Sequence, residues 1–175
     1  MMIRKVFWVL FFCLLVFSCF FLFKYFSKRN KFDANCLLHD FKASAIIVTP
    51  EKEVECEISK DSEKVLIEIT NKKMEGFTFE LDNKGKQKIS FKGLEQEFDN
   101  SNFLNENSYL NVLSNLLKNL DSISFKNIQN TKEEIKFEGK VNGIKFELIS
   151  DKNGNIKEIN IPEKNIKIIF QSYLY

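Results

Sequence analysis

The sequence predicts a mainly β, α+β fold, in which a curved antiparallel sheet of about ten strands wraps over one amphipathic helix, after an N-terminal transmembrane helix. Three observations lead to this prediction. Beyond residue 36, apolar and polar side chains alternate with a period of two. Turn-forming residues separate the alternating runs, and one leucine-rich segment has helical spacing. A long apolar run stands near the start of the chain.

Residues 1–26 are predicted to form a membrane anchor or an uncleaved signal. Val6 to Phe23 is a run of 18 residues that contains only apolar side chains, cysteines and one serine. As a helix this run is roughly 27 Å long, close to the roughly 30 Å thickness of the bilayer's hydrocarbon core. It is also longer than the core of a signal peptide, which has about 7–15 residues. We therefore expect one membrane span.

Processing and orientation of this span leave alternatives open. Ser18-Cys19 resembles the end of a bacterial lipoprotein signal, which would lipidate Cys19, but Phe17 stands where a small residue is expected. The apolar run also continues past Cys19, which favours a retained anchor. Basic residues flank the run on both sides, and by the positive-inside rule their count would place the folded domain in the cytoplasm, but the count is nearly balanced and does not decide orientation. The layout of a signal-anchor places the soluble domain outside the cytoplasm.

Charge is distributed unevenly along the chain. Six of the 26 basic residues flank the apolar run, whereas all 24 acidic residues follow it, which leaves 20 basic residues against 24 from Phe32 onward. A slightly acidic domain without a basic face is unsuited to binding phosphate backbones. The sequence therefore argues against a nucleic-acid partner and favours the membrane.

Residues 27–35 are charged and aperiodic and are predicted to be a juxtamembrane linker, followed by a β-rich domain over residues 36–175. A disulfide between Cys36 and Cys56 would need α-carbons within about 7 Å. A hairpin turning at Thr49-Pro50-Glu51-Lys52 would instead place Cys56 opposite the middle of the first strand. We therefore expect the bridge to be absent.

The alternation assigns one face of each predicted strand to the core. Asn142-Gly143 separates two such strands and favours a type I′ hairpin, and the turns at residues 82–85, 151–154 and 162–165 indicate further antiparallel connections. The inward positions share apolar character and are Val65, Ile67 and Ile69; Phe77, Phe79 and Leu81; Ile89 and Phe91; Ile135, Phe137 and Val141; and Ile144, Phe146 and Leu148.

Residues 108–120 are predicted to form the single helix. Tyr109, Leu110, Val112, Leu113, Leu116, Leu117 and Leu120 have helical spacing, and Asn107 or Ser108 can cap the start. The only large apolar surface on which this stripe can pack is the inner face of the sheet.

Motifs for catalysis or metal binding are lacking in the sequence. His39 is the single histidine and has no partner at metal-ligand spacing, and no glycine-rich phosphate loop is present. Carboxylates fall on the polar strand faces beside lysines, where cross-strand ion pairs are the expected role. We expect no catalytic residue, no metal and no cofactor, although carboxylates clustered inside the sheet would indicate an enzyme.

The inward phenylalanines allow two interpretations, a packed core or an apolar cavity. A strongly curved sheet with one helix does not necessarily fill its own concavity, and such a gap can hold a lipid. On the second interpretation, the predicted ligand-binding residues are Phe77, Phe79, Phe91, Leu113, Leu117, Phe137 and Phe146.

The segments CLLHDFKASAIIV, GFTFELDNKGKQKISFKGLEQEF and DKNGNIKEINIP, with the leucine-rich helix between them, carry a resemblance over about 140 residues. The chain resembles small membrane-anchored or lipid-anchored domains of low-GC Gram-positive bacteria. Its layout is similar to the LolA and LppX lipoprotein-carrier fold, a half-barrel of antiparallel strands over helical elements. The resemblance implies a non-enzymatic domain tethered to the cell membrane that binds a lipid or another apolar ligand. The alternative is a cell-envelope interaction or structural module with a filled core and no ligand.

Overall fold

The computed structural model describes residues 37, 40–99, 108–123 and 125–174. The chain divides into two compact units, Met1–Asp33 and Ala34–Tyr175, and all described residues belong to the second. The predicted anchor and linker, Cys36 and His39 lie outside the described residues. Within the described ranges, no helix is both long and apolar enough to cross a membrane.

Eleven strands and one α-helix are found in the described residues. The bounds are β1 Phe41–Val48, β2 Glu53–Lys60, β3 Lys64–Ile69, β4 Phe77–Asp82, β5 Gln87–Phe91, β6 Leu94–Phe98, α1 Tyr109–Lys118, β7 Lys126–Asn130, β8 Ile135–Val141, β9 Ile144–Ser150, β10 Ile156–Ile161 and β11 Ile166–Tyr173. Short 3₁₀ turns occupy Leu120–Ser122 and Pro162–Lys164.

All the strands belong to one antiparallel sheet with the order β6-β5-β4-β3-β2-β1-β11-β10-β9-β8-β7. Strands that are consecutive in sequence pair within two meanders, β1 to β6 and β7 to β11, and the β1–β11 pair joins them. Over the described residues the sheet is not closed into a barrel, since β6 and β7 stand at its two ends. The prediction of an antiparallel, mainly β fold is confirmed, with eleven strands instead of about ten.

The hairpin turns follow the backbone preferences of their residues. Asn142 (φ 47°) and Gly143 (φ 86°) connect β8 to β9 as predicted. Lys92 (φ 51°) and Gly93 (φ 83°) connect β5 to β6 in the same way. Positive φ at both positions matches a type I′ turn, whose twist suits two antiparallel strands. Both hairpins are therefore fixed by local backbone chemistry.

The core lies on one face of the sheet. Cross-strand register places the inward apolar residues of neighbouring strands side by side, for example Ile58, Ile67 and Phe79 on β2, β3 and β4, which are all fully buried. The opposite face carries ion pairs between strands, such as Lys42–Glu57 and Lys136–Glu147, each at 2.8 Å. One buried apolar face and one solvated charged face are the pattern that the alternation predicts.

Helix α1 packs against β3 and β4. Its leucines Leu113, Leu116 and Leu117 are completely buried, as predicted. Ser108 precedes the helix at the predicted cap position, but its side chain makes no capping hydrogen bond. Asn111 and Ser114, which lie outside the leucine stripe, are buried as well. The helix is therefore covered on more than one side.

Candidate functional site

The seven predicted ligand-binding residues share the core side of the molecule but differ in exposure. Five of them are at most 1 % exposed: Phe79, Leu113, Leu117, Phe137 and Phe146. The other two, Phe77 and Phe91, are partly exposed. The structure therefore separates a fully buried group from an accessible pair.

The buried group is packed in different parts of the core. Phe137 and Phe146, on β8 and β9, contact the ring of Phe125, with centroid distances of 5.0 Å and 6.1 Å. Phe79 lies on β4, one of the two strands against which α1 places its leucines. Aromatic pairs at these separations add stabilisation beyond the area that they bury. These five side chains serve as core packing in the described structure.

The accessible pair belongs to a row of apolar side chains that runs across the strands from β3 to the edge strand β6. Register aligns Ile69 on β3 with Phe77 on β4, and Phe91 on β5 with Leu94 on β6. The rings of Phe77 and Phe91 are 6.3 Å apart. Exposure increases along the row, from 1 % at Ile69 to 78 % at Leu94. We call Phe77, Phe91 and Leu94 the apolar lip.

The lip arises because α1 covers only part of the face. The helix contacts the first residue of β5, Gln87, whose side-chain amide donates to Asn111 Oδ1 at 3.4 Å. Gln87 is 3 % exposed, whereas Phe91, at the other end of the same strand, remains partly accessible. Contiguous exposed apolar patches mark binding surfaces, whereas single exposed apolar side chains are common. The lip is a contiguous group of three apolar residues, of which Leu94 is the most exposed.

Lysines lie in the two connections that flank the apolar lip. Lys72 and Lys73 are exposed in the loop between β3 and β4, and Lys92 is exposed in the turn between β5 and β6. The Lys92 ammonium lies 5.1 Å from the centroid of the Phe91 ring, a cation–π distance. The two connections beside the lip thus carry three exposed lysines and one exposed carboxylate, Glu75.

Other polar groups near the core offer little chemistry. Burial raises the pKa of the Cys56 thiol to about 12, and the thiol donates to the Ala45 carbonyl at 3.5 Å, so it is a poor nucleophile. The side-chain oxygens Gln87 Oε1, Ser114 Oγ and Ser150 Oγ are buried without a hydrogen-bond partner. Among the described residues, no group of three or more His, Cys, Asp or Glu side chains is arranged to hold a metal ion.

Sequence reasoning found Phe77 and Phe91 but missed Leu94 and the three lysines. The available signal was FKGLEQEF, in which Lys92-Gly93 separates two runs of alternating residues and thus predicts a two-residue hairpin. That assignment puts Leu94 on the core face of an edge strand. The exposure of Leu94 depends on how far the helix extends, which alternation does not determine.

The fold and this surface define a class of protein: a mainly β domain with one open antiparallel sheet, one covering helix and an apolar lip at the sheet end. No protein family model matches the chain, and no curated protein matches it significantly in sequence.

Proposed function

We propose that this protein is a non-enzymatic, membrane-tethered, extracytoplasmic domain that binds the acyl chain of a lipid, or a similar apolar ligand, at the apolar lip. The observation that carries the proposal is the row in which the core face continues outward through Phe77 and Phe91 to Leu94, with exposure rising to 78 %. Burying exposed apolar area stabilises a complex by about 25 cal/mol per Å². An acyl chain laid along this row would extend the core.

The proposal includes a curved, LolA-like half-barrel. Asp121 accepts from the Lys60 ammonium of β2 at 3.1 Å, whereas Ile123, two residues later, lies against Gly139 of β8. Five strand spacings separate β2 from β8 in the sheet, which is about 24 Å in a flat sheet. Contact of such a short segment with both strands supports a concave core face.

A second candidate, an interaction or structural module of the cell envelope with a filled core, is favoured by a different observation. Phe79, Leu113 and Phe137 are completely buried, so no water-sized space adjoins them in the described structure. This packing argues against a cavity at the centre of the face. It does not affect the lip, and we therefore place the ligand there.

Photo-crosslinking in the intact membrane tests the proposal. Benzoylphenylalanine replaces Phe91 in the full chain, and a matched variant carries it at Ile169, which is 37 % exposed on the opposite face of β11. After irradiation, mass spectrometry of the labelled peptides identifies the adduct. We expect a lipid-derived adduct at position 91 and none at position 169.

Two other outcomes would overturn the ligand-binding proposal. A protein adduct at position 91 would favour the interaction module, because a side chain of a partner would then occupy the lip. The absence of any adduct at position 91, with irradiation efficiency verified on a membrane protein of known lipid contact, would show that no ligand occupies the surface.

A further inference from the structure

We propose that the apolar lip docks on the surface of a bilayer that contains anionic phospholipids, with Leu94 inserted among the acyl chains and Lys72, Lys73 and Lys92 contacting the headgroups. This inference rests on the proposed function and deepens it, because it names the bilayer surface as the source of the apolar ligand.

The connections at one end of the sheet bring these residues together. Thr78 pairs with Ser90, so Phe77 at the start of β4 lies beside Phe91 at the end of β5. The β3–β4 loop that precedes Phe77 and the β5–β6 turn that follows Phe91 are therefore neighbours. Both connections carry exposed lysines, and the second leads directly to Leu94.

The charge at this end fits an anionic surface. Many lysines on the strands are paired with carboxylates, for example Lys64 with Glu80 and Lys88 with Glu95. Within the described residues, Lys72, Lys73 and Lys92 form no ion pair. Glu75 is the one acidic residue in the two connections. Each lysine close to an anionic membrane contributes roughly a five-fold gain in partitioning, so three contribute about 100-fold.

The edge strand β6, which carries Leu94, is poorly suited to pairing with β6 of a second copy of the chain. Antiparallel self-pairing of β6 about Gln96 would place Glu95 opposite Glu97 of the other copy on the outer face. Like charges directly opposite each other destabilise a strand pair, and natural edge strands use charged residues to prevent such pairing. A lipid surface makes no contact with these two carboxylates, since they point to the face opposite Leu94.

Tryptophan fluorescence with brominated lipids tests the docking. The full chain, with Trp8→Phe to remove the native tryptophan, carries Leu94→Trp and is reconstituted in phosphatidylcholine vesicles with or without 30 % phosphatidylglycerol. The matched control carries Ile169→Trp on the opposite face. We expect the tryptophan at position 94 to be blue-shifted and quenched by brominated acyl chains in the anionic vesicles, and the one at position 169 to show neither effect.

Charge variants distinguish an effect of these three lysines from an effect of the net charge of the protein. Lys72→Gln, Lys73→Gln and Lys92→Gln together should reduce quenching at position 94 at least several-fold. The control replaces the exposed Lys132, Lys140 and Lys145 with glutamine, changes net charge equally and should leave quenching unchanged. Equal loss in both sets would overturn the assignment of the headgroup contact to the three lysines.

The remaining outcomes distinguish the failure of this inference from that of the proposed function. A lipid adduct at Phe91 without quenching at position 94 would overturn surface docking and leave ligand binding intact. The absence of both would overturn the two proposals together. A blue shift at position 94 without quenching by brominated chains would show that protein covers the lip, and would also overturn docking.

Discussion

Gly139 lies on the core face of β8, where a side chain has no room. A Cβ at this position would clash with Phe146 Cζ and would lie 2.7 Å from Phe146 Cε1 and 3.1 Å from Ile123 Cγ2. The Phe146 ring is 1 % exposed, so it can move only by displacing other core residues. Replacement by alanine therefore requires the core to repack.

We predict that Gly139→Ala lowers the free energy of unfolding by about 1–3 kcal/mol, because overpacking exceeds the smaller gain from a less flexible unfolded chain. Urea unfolding of the full chain in mild detergent measures this change. Lys140→Ala, at the exposed neighbouring position, should change stability by less than about 0.5 kcal/mol. An unchanged midpoint for Gly139→Ala would contradict the close contact with Phe146.

The buried thiol of Cys56 should make the free energy of unfolding depend on pH. Burial raises the pKa of its thiol from 9.0 to about 12, so the unfolded state ionises at a lower pH than the folded state does. The stabilisation linked to this thiol is fully present below pH 9 and is lost as the pH rises from 9 toward 12. We expect stability to fall over that window less steeply in Cys56→Val than in the unsubstituted chain, as measured by urea midpoints at each pH.

Lys60 is a buried charge on the core face. It is 4 % exposed, and its ammonium contacts Asp121, whose side chain is 51 % exposed. Removing the carboxylate leaves a buried ammonium with less compensation, whereas replacing the lysine with an apolar side chain removes the desolvation cost.

We predict that Asp121→Asn destabilises the domain by about 1–3 kcal/mol and that Lys60→Met is neutral or stabilising. Denaturant unfolding of both single variants and the double variant measures the coupling between the two residues. If Lys60→Met proves the more destabilising change, the ion pair contributes net stability.

At the scale of elements, α1 and β6 both carry leucines on the core side but in opposite environments. Leu113 is completely buried between the helix and the sheet, and Leu94 is 78 % exposed. We predict that Leu113→Ala costs about 2–5 kcal/mol of unfolding free energy, as deletion of buried methyl groups usually does. Leu94→Ala should cost less than about 0.5 kcal/mol.

Thermal unfolding of the two alanine variants, compared side by side, tests this contrast. A large loss of stability in Leu94→Ala would show that the lip is part of the core, and would remove the basis for assigning it to a ligand.

The local elements were predictable because their signals are local. Alternation identified the faces of Phe79 on β4 and Phe137 on β8, and Asn142-Gly143 identified the hairpin between β8 and β9. The spacing of Leu113 and its neighbours identified α1 to within two residues. Each of these depends on residues close together in the chain.

The candidate site was only partly predictable. Alternation assigns Phe77 and Phe91 to the core face. How much of that face is covered depends on how far α1 extends over β5. The contact of Asn111 with Gln87 marks the boundary of the covered area, and it joins residues 24 positions apart. Such a contact has no local sequence signal.

At the scale of the whole molecule, the pairing of β1 with β11, which we call the seam, joins the two meanders. Register runs from Ala43 opposite Tyr173 to Val48 opposite Lys167, with an irregularity between Ser44 and Ala45. No turn connects these strands, so hairpin signals could not predict the pair. The seam also brings small residues of β1, such as Ala45, against Phe170.

We predict that a chain ending after Asn165, which lacks β11, does not fold cooperatively, because β1 and β10 both lose a paired neighbour at the middle of the sheet. Circular dichroism during thermal unfolding would show no sharp transition. A chain ending after Tyr173 should retain the transition, since among the described residues it loses one backbone hydrogen bond, from the Leu174 N–H to the Lys42 carbonyl. Cooperative melting of the shorter chain would show that the two meanders are independent.

The seam has a consequence for biosynthesis. The hydroxyls of Ser44 and Ser172 lie 2.6 Å apart but are separated by 128 positions in the chain. A ribosome must therefore release the chain as far as β11 before β1 meets this neighbour. During translocation under the proposed topology, this delay would keep the chain incompletely folded and able to pass through a narrow export channel.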